Sequence, residues 1–459
     1  MKKVRTRYAP SPTGYLHIGG ARSALFGYLY TKHNNGTFIV RTEDTDYARN
    51  VEGGEASQLD NLEWLGIVPD ESPLKPVAKY GKYRQSEKLD RYQEVLETLV
   101  KNNKAYKAYD SSEELTAQRE EQTKAGKYSF RYDKNWLKIS DEEKKIRDEK
   151  KEYSYRLALE ENKDYAWEDI VRGNISVNTH DIGDFVIMKS DGYPTYNFAV
   201  VVDDRDMEMT HVFRGEEHIT NTPKQLAIYD ALGWEAPEFG HLTIITNMEG
   251  KKLSKRDNSV KQFISDYKDE GYHAHAIFNF LALLGWTHAD AKEVLSHEEL
   301  VRDFLAERLS KSPSKFDVDK MNWFSKEYIK NQDNKEIEKM LDLGSKDAEW
   351  KDMFIDTYKQ NAHTYKMIQD AFKIYEDETV KKQELPEVVV AFGKALSEKE
   401  FSIDSIIASI NEAKSSTGAK GKNLFMPIRM FTTYQEHGPE LAKAIYLFGE
   451  KLIKERLGL

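Results

Sequence analysis

The sequence contains no cysteine, which excludes disulfides, thiol catalysis and cysteine-ligated zinc together. No apolar run approaches the ~18 residues of a membrane span. No basic-then-apolar leader precedes the first strand-like run, so the expectation is a cytoplasmic protein with no membrane partner. Both common phosphate loops are missing. Without Gly-x-x-x-x-Gly-Lys-Ser/Thr or Gly-x-Gly-x-x-Gly, a P-loop enzyme and a Rossmann dehydrogenase are disfavoured. The twelve histidines contain no His-Glu-x-x-His spacing, and His273 with His275 is too small a set for a metal site. No internal repeat or low-complexity tract is present. The formal net charge of −10 argues against a protein that coats nucleic acid indiscriminately, but leaves room for local basic patches.

What is present is enough chain for several domains. At 459 residues it exceeds the size at which one core stops growing, about 250–300 residues. Hydrophobic residues make up 39% and aromatics 12%, ample for packed cores. The 32% charged content is not of the kind that produces disorder.

The organising stretch runs from Arg7 to Gly20. Val4 to Tyr8 is strand-like and ends at Pro10 and Pro12, which lack the N–H a strand ladder needs. Gly14, Gly19 and Gly20 allow a tight turn and a close approach to a ligand. From Ala21 the apolar positions Ala24, Leu25, Tyr28 and Leu29 follow helical spacing. Strand, glycine-rich turn and helix N-terminus together make a natural anion site, with His17 at its lip.

Downstream, Thr37 to Val40 predicts a second strand running into the acidic turn Glu43-Asp44-Thr45-Asp46, as expected for a parallel sheet with functional groups past its strand ends. A helix is predicted from about Glu52 to Leu65. From Lys75 to Glu152 the chain becomes rich in Lys, Glu, Tyr and Gln and reads as a largely solvated insertion. Within it Leu89 to Val100 is amphipathic, Ser111 to Leu115 resembles a helix start, and Ser140 to Lys151 suggests a solvated helix. The core pattern returns with a hairpin around Trp167 to Val177, a strand at Phe185 to Met188 and another at His211 to Phe213. A helix from Pro223 to Leu232 and a strand-like run at Leu242 to Thr246 follow. From Ala274 onward the pattern is helical, including Leu300 to Leu309.

The loop Lys251 to Arg256 places four cations in six positions. Alone it reads as a solvated basic loop. Paired with the opening stretch it supplies ammonium groups to a phosphate chain already held at a helix N-terminus.

His17-Ile18-Gly19-Gly20 and Lys252-Leu253-Ser254-Lys255-Arg256 resemble the two signatures of class I aminoacyl-tRNA synthetases. The wider blocks are more specific: Arg7 to Gly14, Glu43 to Asp46, Gly192 to Tyr196 with Val201 to Asp204, and Arg214 to Glu217. Together with Leu309 to Pro313 and Gly421 to Arg429 they resemble the bacterial-type glutamyl-tRNA synthetases over nearly the whole chain. Gly20, Leu253 and Arg256 stand where His, Met and Ser are commoner, and Val200 stands where some relatives offer an Asn.

This resemblance implies a multidomain α/β protein. A Rossmann-like parallel-sheet catalytic core, residues 1–80 and 176–236, would be split by an α+β acceptor-end binding insertion at 81–175. A stem-contact region at 237–325 carries the basic loop. An all-helical anticodon-binding region at 326–459, subdivided near 380, completes the chain. The implied reaction uses ATP with Mg²⁺ bound to it, and no zinc, to form glutamyl-adenylate from L-glutamate before transfer to tRNA(Glu). Whether tRNA(Gln) is also charged stays open, and a monomer is expected.

The resemblance makes His17, Lys252 and Lys255 catalytic. It gives ATP to Pro10, Ser11, His17, Gly19, Gly20, Lys252, Leu253, Ser254, Lys255 and Arg256. L-Glutamate falls to Arg7, Ser11, Glu43, Tyr196 and Arg214, since Arg forks bind carboxylates bidentately. For Arg214 the rival reading is a structural pair with Glu216 or Glu217. Lys414, Lys420, Lys422 and Arg429 are tRNA candidates in a region, 381–459, with 12 Lys+Arg against 10 Asp+Glu. The alternatives are a non-catalytic tRNA-binding homologue and a related adenylyl-transferring enzyme.

Overall fold

The computed structural model of the chain describes residues 3–127, 130–253 and 260–459. The chain falls into two compact units, Met1–Asp266 with Phe278–Asp317, and Tyr267–Ile277 with Val318–Leu459.

The first unit is built on a four-stranded parallel sheet. Its strands in chain order are β1 (Arg5–Tyr8), β2 (Thr37–Val40), β3 (His211–Gly215) and β4 (Glu238–Leu242). Across the sheet the order is β2-β1-β3-β4. Helix α1 (Ile18–His33) joins β1 to β2, and helix α3 (Thr222–Leu232) joins β3 to β4. The two crossovers leave the sheet's middle in opposite directions, so the strand order reverses between β1 and β3. Open α/β sheets bind ligands at the carboxyl side of such a switch point.

The sequence locates these elements well, with one displacement. The strand expected at Leu242 to Thr246 instead runs Glu238–Leu242, with only a short strand at Ile245–Thr246. Phe239, Gly240, His241 and Leu242 are all buried, so no alternation marks the strand, and His241 in its middle hides it further.

The chain between β2 and β3 is less solvated than its composition suggests. The helix Leu89–Lys101 buries Tyr92, Val95, Leu96 and Leu99. These share one apolar cluster with Leu157, Ile187 and residues Phe198 to Val202 of helix α2 (Tyr196–Asp206). The helix Asp141–Glu149, by contrast, buries nothing. Two small antiparallel sheets complete the insertion. Ala105–Ala108, Ser154–Leu157 and Val186–Met188 form one, and a hairpin pairs Asp164–Asp169 with Gly173–Asn178. The helix expected from Leu300 to Leu309 stops at Asp303. Phe304 is extended, and the 3₁₀ turn Ala306–Arg308 follows.

Helices dominate the second unit. One apolar cluster gathers Ile329, Ile337, Phe354, Ile368 and Phe372, and another gathers Val389, Phe392, Ile406, Leu424, Ile428 and Ile453. Among the described residues no helix is long and apolar enough to cross a membrane.

Candidate active site

The carboxyl ends of β1 and β3 open into a cleft of about 550 Å³. Its floor and walls include Arg7, Pro10, Ser11, His17, Gly19, Gly20, Glu43, Tyr196, Arg214, Lys252 and Leu253. Every described residue that the sequence assigned to ATP or glutamate therefore lies on one cavity. Ser254, Lys255 and Arg256 lie outside the described residues.

One end of the cleft is the helix N-terminus. His17 is the N-cap of α1 in an extended conformation, and its Nδ1 accepts the Gly20 N–H at 3.1 Å. A neutral imidazole accepting at Nδ1 carries its proton on Nε2. Gly20 has a steric reason. A Cβ there would come within 2.6 Å of the Tyr8 hydroxyl, which itself donates to Gln58. The ring of Tyr8 thus occupies space that a larger residue at 20 would need. Lys252 enters from a hairpin in which Thr246 and Lys252 form a bridge and Leu253 N–H donates to Ile245.

The other end is a buried charge network. Arg7 donates through Nε and Nη2 to the two oxygens of Asp204, each at 3.2 Å. Arg41, fully buried, reaches Asp204 at 2.9 Å, Glu43 at 3.2 Å and Asp203 at 3.5 Å. Lys88 closes on Asp203 at 2.6 Å, and Gln85 and Tyr92 donate to the same carboxylate. Three cations thus face three acids: Arg7, Arg41 and Lys88 against Glu43, Asp203 and Asp204. Burial pushes the Asp204 carboxyl up, but Arg7 and Arg41 outweigh it and hold it below its ordinary value. Glu43 goes the other way. Burial raises it, and Arg41 and Arg7 offset only part of that. A cation brought beside Glu43 would favour its ionised form.

Arg214 differs from both other arginines. It is 5% exposed, yet its donors go to neutral groups: Nε to His241 Nε2 at 3.1 Å, Nη1 to Gln225 at 2.9 Å and Nη2 to Thr222 at 2.7 Å. Neither acid suggested as its partner takes that place. Glu216 pairs with Arg172 and accepts the Ile244 N–H, and Glu217 lies on the cleft wall. Burial accordingly lowers the Arg214 pKa. A buried cation held only by neutral acceptors is costly unless a ligand completes the pair.

Tyr196 is more than packing. It stands at the start of α2, and its hydroxyl meets His218 Nδ1 at 3.3 Å. Burial, with Arg214 nearby, lowers His218 to about 4, so the ring is a neutral acceptor near pH 7. Sequence reading missed His218, Arg41 and Tyr8. Arg41 had a signal, since it opens the turn that carries Glu43. For Tyr8 and His218, nothing local distinguishes them from packing residues.

In the second unit Lys414, Lys420 and Lys422 are exposed. Arg429 is only half so, and donates to the Pro439 carbonyl at 2.6 Å, a tie within the unit. Among the described residues no group of three or more His, Asp or Glu could hold a metal ion.

Two family models match. "tRNA synthetases class I (E and Q), catalytic domain" covers residues 3–323, and "Anticodon binding domain" covers 299–458. The glutamate–tRNA ligase of Metamycoplasma arthritidis is 66% identical over 99% of both chains. That of Mycoplasmopsis agalactiae is 62% identical over 100% of this chain and 99% of its own. A solved glutamate tRNA ligase from Elizabethkingia meningosepticum, in complex with its amino acid, matches with a TM-score of 0.89 at 35% identity. It covers 100% of this chain and 99% of that one.

Proposed function

Because this chain belongs to the class I tRNA synthetases of the E and Q type, we propose that it ligates L-glutamate to tRNA at the cleft between β1 and β3. The observation that carries the substrate is Arg214, a buried guanidinium without an acidic partner, facing the same cavity as Arg7 and Glu43. Glutamate brings two carboxylates and one ammonium. Arg214 takes the α-carboxylate, Arg7 with Tyr196 takes the side-chain carboxylate, and Glu43 with Ser11 accepts from the ammonium. The ammonium also supplies the cation that favours ionised Glu43.

Activation needs no general base, since the α-carboxylate is already a nucleophile. Its oxygen attacks the α-phosphorus of ATP, the bond to the β-phosphate breaks, and pyrophosphate leaves; Mg²⁺ carried by the phosphates would supply further positive charge. A terminal ribose hydroxyl of the tRNA then attacks the carbonyl carbon of the adenylate, releasing AMP and a proton. Residues 10, 11, 19 and 20 shape the ATP end. His17, Lys252 and Lys255 offset phosphate charge, with Leu253, Ser254 and Arg256 completing that loop.

Residues 81–175 receive the acceptor end. In their support, a cleft of about 700 Å³ there offers the Tyr132 and Trp136 rings with Lys127, Arg131 and Lys134, set among the acids Glu121, Asp133, Glu160 and Glu161. Residues 237–325 contact the stem, and 326–459 bind the anticodon with Lys414, Lys420 and Lys422 exposed for phosphate contact. The protein acts as a cytoplasmic monomer.

Glutamate-dependent ATP–pyrophosphate exchange, with and without tRNA, tests the activity, and no exchange in either condition would sink it. Charging of purified tRNA(Glu) and tRNA(Gln) fixes the tRNA range. His17→Asn separates capping from chemistry. Asn caps a helix well, so the melting temperature should hold, whereas loss of the Nε2 donor should cut kcat by roughly 10²–10³. An unchanged kcat beside an unchanged melting temperature would instead make His17 a cap alone.

A further inference from the structure

The geometry points to Asp169 and His241 as positioning residues for Arg214, so that a carboxylate from the insertion fixes the amino-acid-binding guanidinium in place. This rests on the reading that Arg214 holds a glutamate carboxylate.

Asp169 ends the hairpin strand Asp164–Asp169, and His241 lies in the middle of β4; both are buried. The hairpin is tied to β4 by Ile170 N–H donating to Phe239. Asp169 Oδ1 accepts three backbone N–H groups, from Val171 at 3.1 Å, Arg172 at 3.0 Å and His241 at 3.1 Å. Its Oδ2 faces His241 Nδ1 and the Trp167 indole N–H. Every group around this carboxylate is an obligatory donor once His241 carries its proton on Nδ1.

That protonation state determines what the far side of the ring can do. Nε2 keeps its lone pair and can accept from Arg214 Nε–H at 3.1 Å, with the Thr222 hydroxyl at 3.0 Å beside it. Thr222 in turn accepts from Arg214 Nη2, and Gln225 accepts from Nη1. The guanidinium plane is thereby fixed at Nε by an acceptor that exists in only one histidine tautomer, and at Nη1 and Nη2 by the Gln225 and Thr222 oxygens.

Asp169→Asn isolates this effect. The amide oxygen can keep the three backbone donors, while the NH₂ gives up the acceptor of the Trp167 indole N–H, so a thermal melt is read beside the kinetics. The amide NH₂ then faces His241 Nδ1, which must accept, and the ring proton moves to Nε2. Two donors, Nε2–H and Arg214 Nε–H, now oppose each other, and Arg214 must turn.

The expected result is at least a tenfold rise in the glutamate KM of pyrophosphate exchange, with the ATP KM unchanged. The ¹⁵N spectrum of histidine-labelled protein should show the His241 proton transferred from Nδ1 to Nε2. Should Asp169→Asn not fold, His241→Gln serves in its place, with the same KM split expected. Parallel losses for glutamate and ATP with a fall in melting temperature would make the pair merely structural and overturn the inference, as would an unchanged glutamate KM. Arg214→Gln is the control. If that variant leaves the glutamate KM unchanged, the reading of Arg214 itself fails; if it raises KM while Asp169→Asn does not, only the present inference falls.

Discussion

Arg214→Gln should lower glutamate-dependent pyrophosphate exchange by roughly 10²–10⁴-fold, because a buried charge pair lost on one side costs about 3–5 kcal/mol at about 1.4 kcal/mol per decade. The same variant should melt no lower than the parent without ligand. Arg214 pairs with no acid, so its removal strands no negative charge, and Gln can still meet some of the neutral acceptors at Thr222, Gln225 and His241. Exchange titrated against glutamate, set beside a ligand-free thermal melt, tests both halves. A several-degree loss of melting temperature with an ordinary glutamate KM would show that Arg214 is structural. Stability held below its optimum to keep a binding site ready is a recurrent trade in enzymes.

Arg41→Met should do the reverse. It deletes the cation shared by Glu43, Asp203 and Asp204, leaving three acids with Arg7 and Lys88 only. A loss of about 3–5 kcal/mol is expected for a buried network broken on one side. The pH dependence has a definite sign. Removing Arg41 raises the folded-state pKa of a buried carboxylate, so the folded variant binds a proton that the unfolded chain does not. That gain is lost as pH rises through the raised value. The deficit against the parent, measured by urea unfolding of the first unit's signal, should therefore be smaller at pH 5.5 than at pH 8. A deficit independent of pH would point to lost packing rather than uncompensated charge.

These two arginines also show what the sequence could and could not convey. Strand β2 was legible to the residue at Thr37–Val40, because four apolar or β-branched positions end abruptly at a charged turn. The helix α1 was legible from spacing alone. The family resemblance picks out Arg7, Glu43 and Arg214 as candidate site residues, and the cleft gathers all three. That Arg41 and Arg214 have opposite electrostatic balances was not legible, since both are simply arginines beside acidic residues in the chain. Balance depends on which carboxylates the fold brings near, and Asp203 and Asp204 come from a helix some 160 residues further on. Strand β4 was misplaced for a related reason: it is buried from Phe239 onward and carries His241, whose partner Asp169 lies on a different element.

The sheet order has a consequence for how the chain is made. β1 sits in the sheet's middle, yet its neighbour β3 is separated from it by roughly 200 residues, or some 10–40 s of synthesis at usual elongation rates. During that interval β1, α1 and β2 can associate, but one edge of β1 stays unpaired, and an open edge is a template for wrong partners. The nascent chain should therefore need shielding until His211–Gly215 emerges. A stalled intermediate ending before residue 211 should be more protease-sensitive in its first forty residues than one ending after β4.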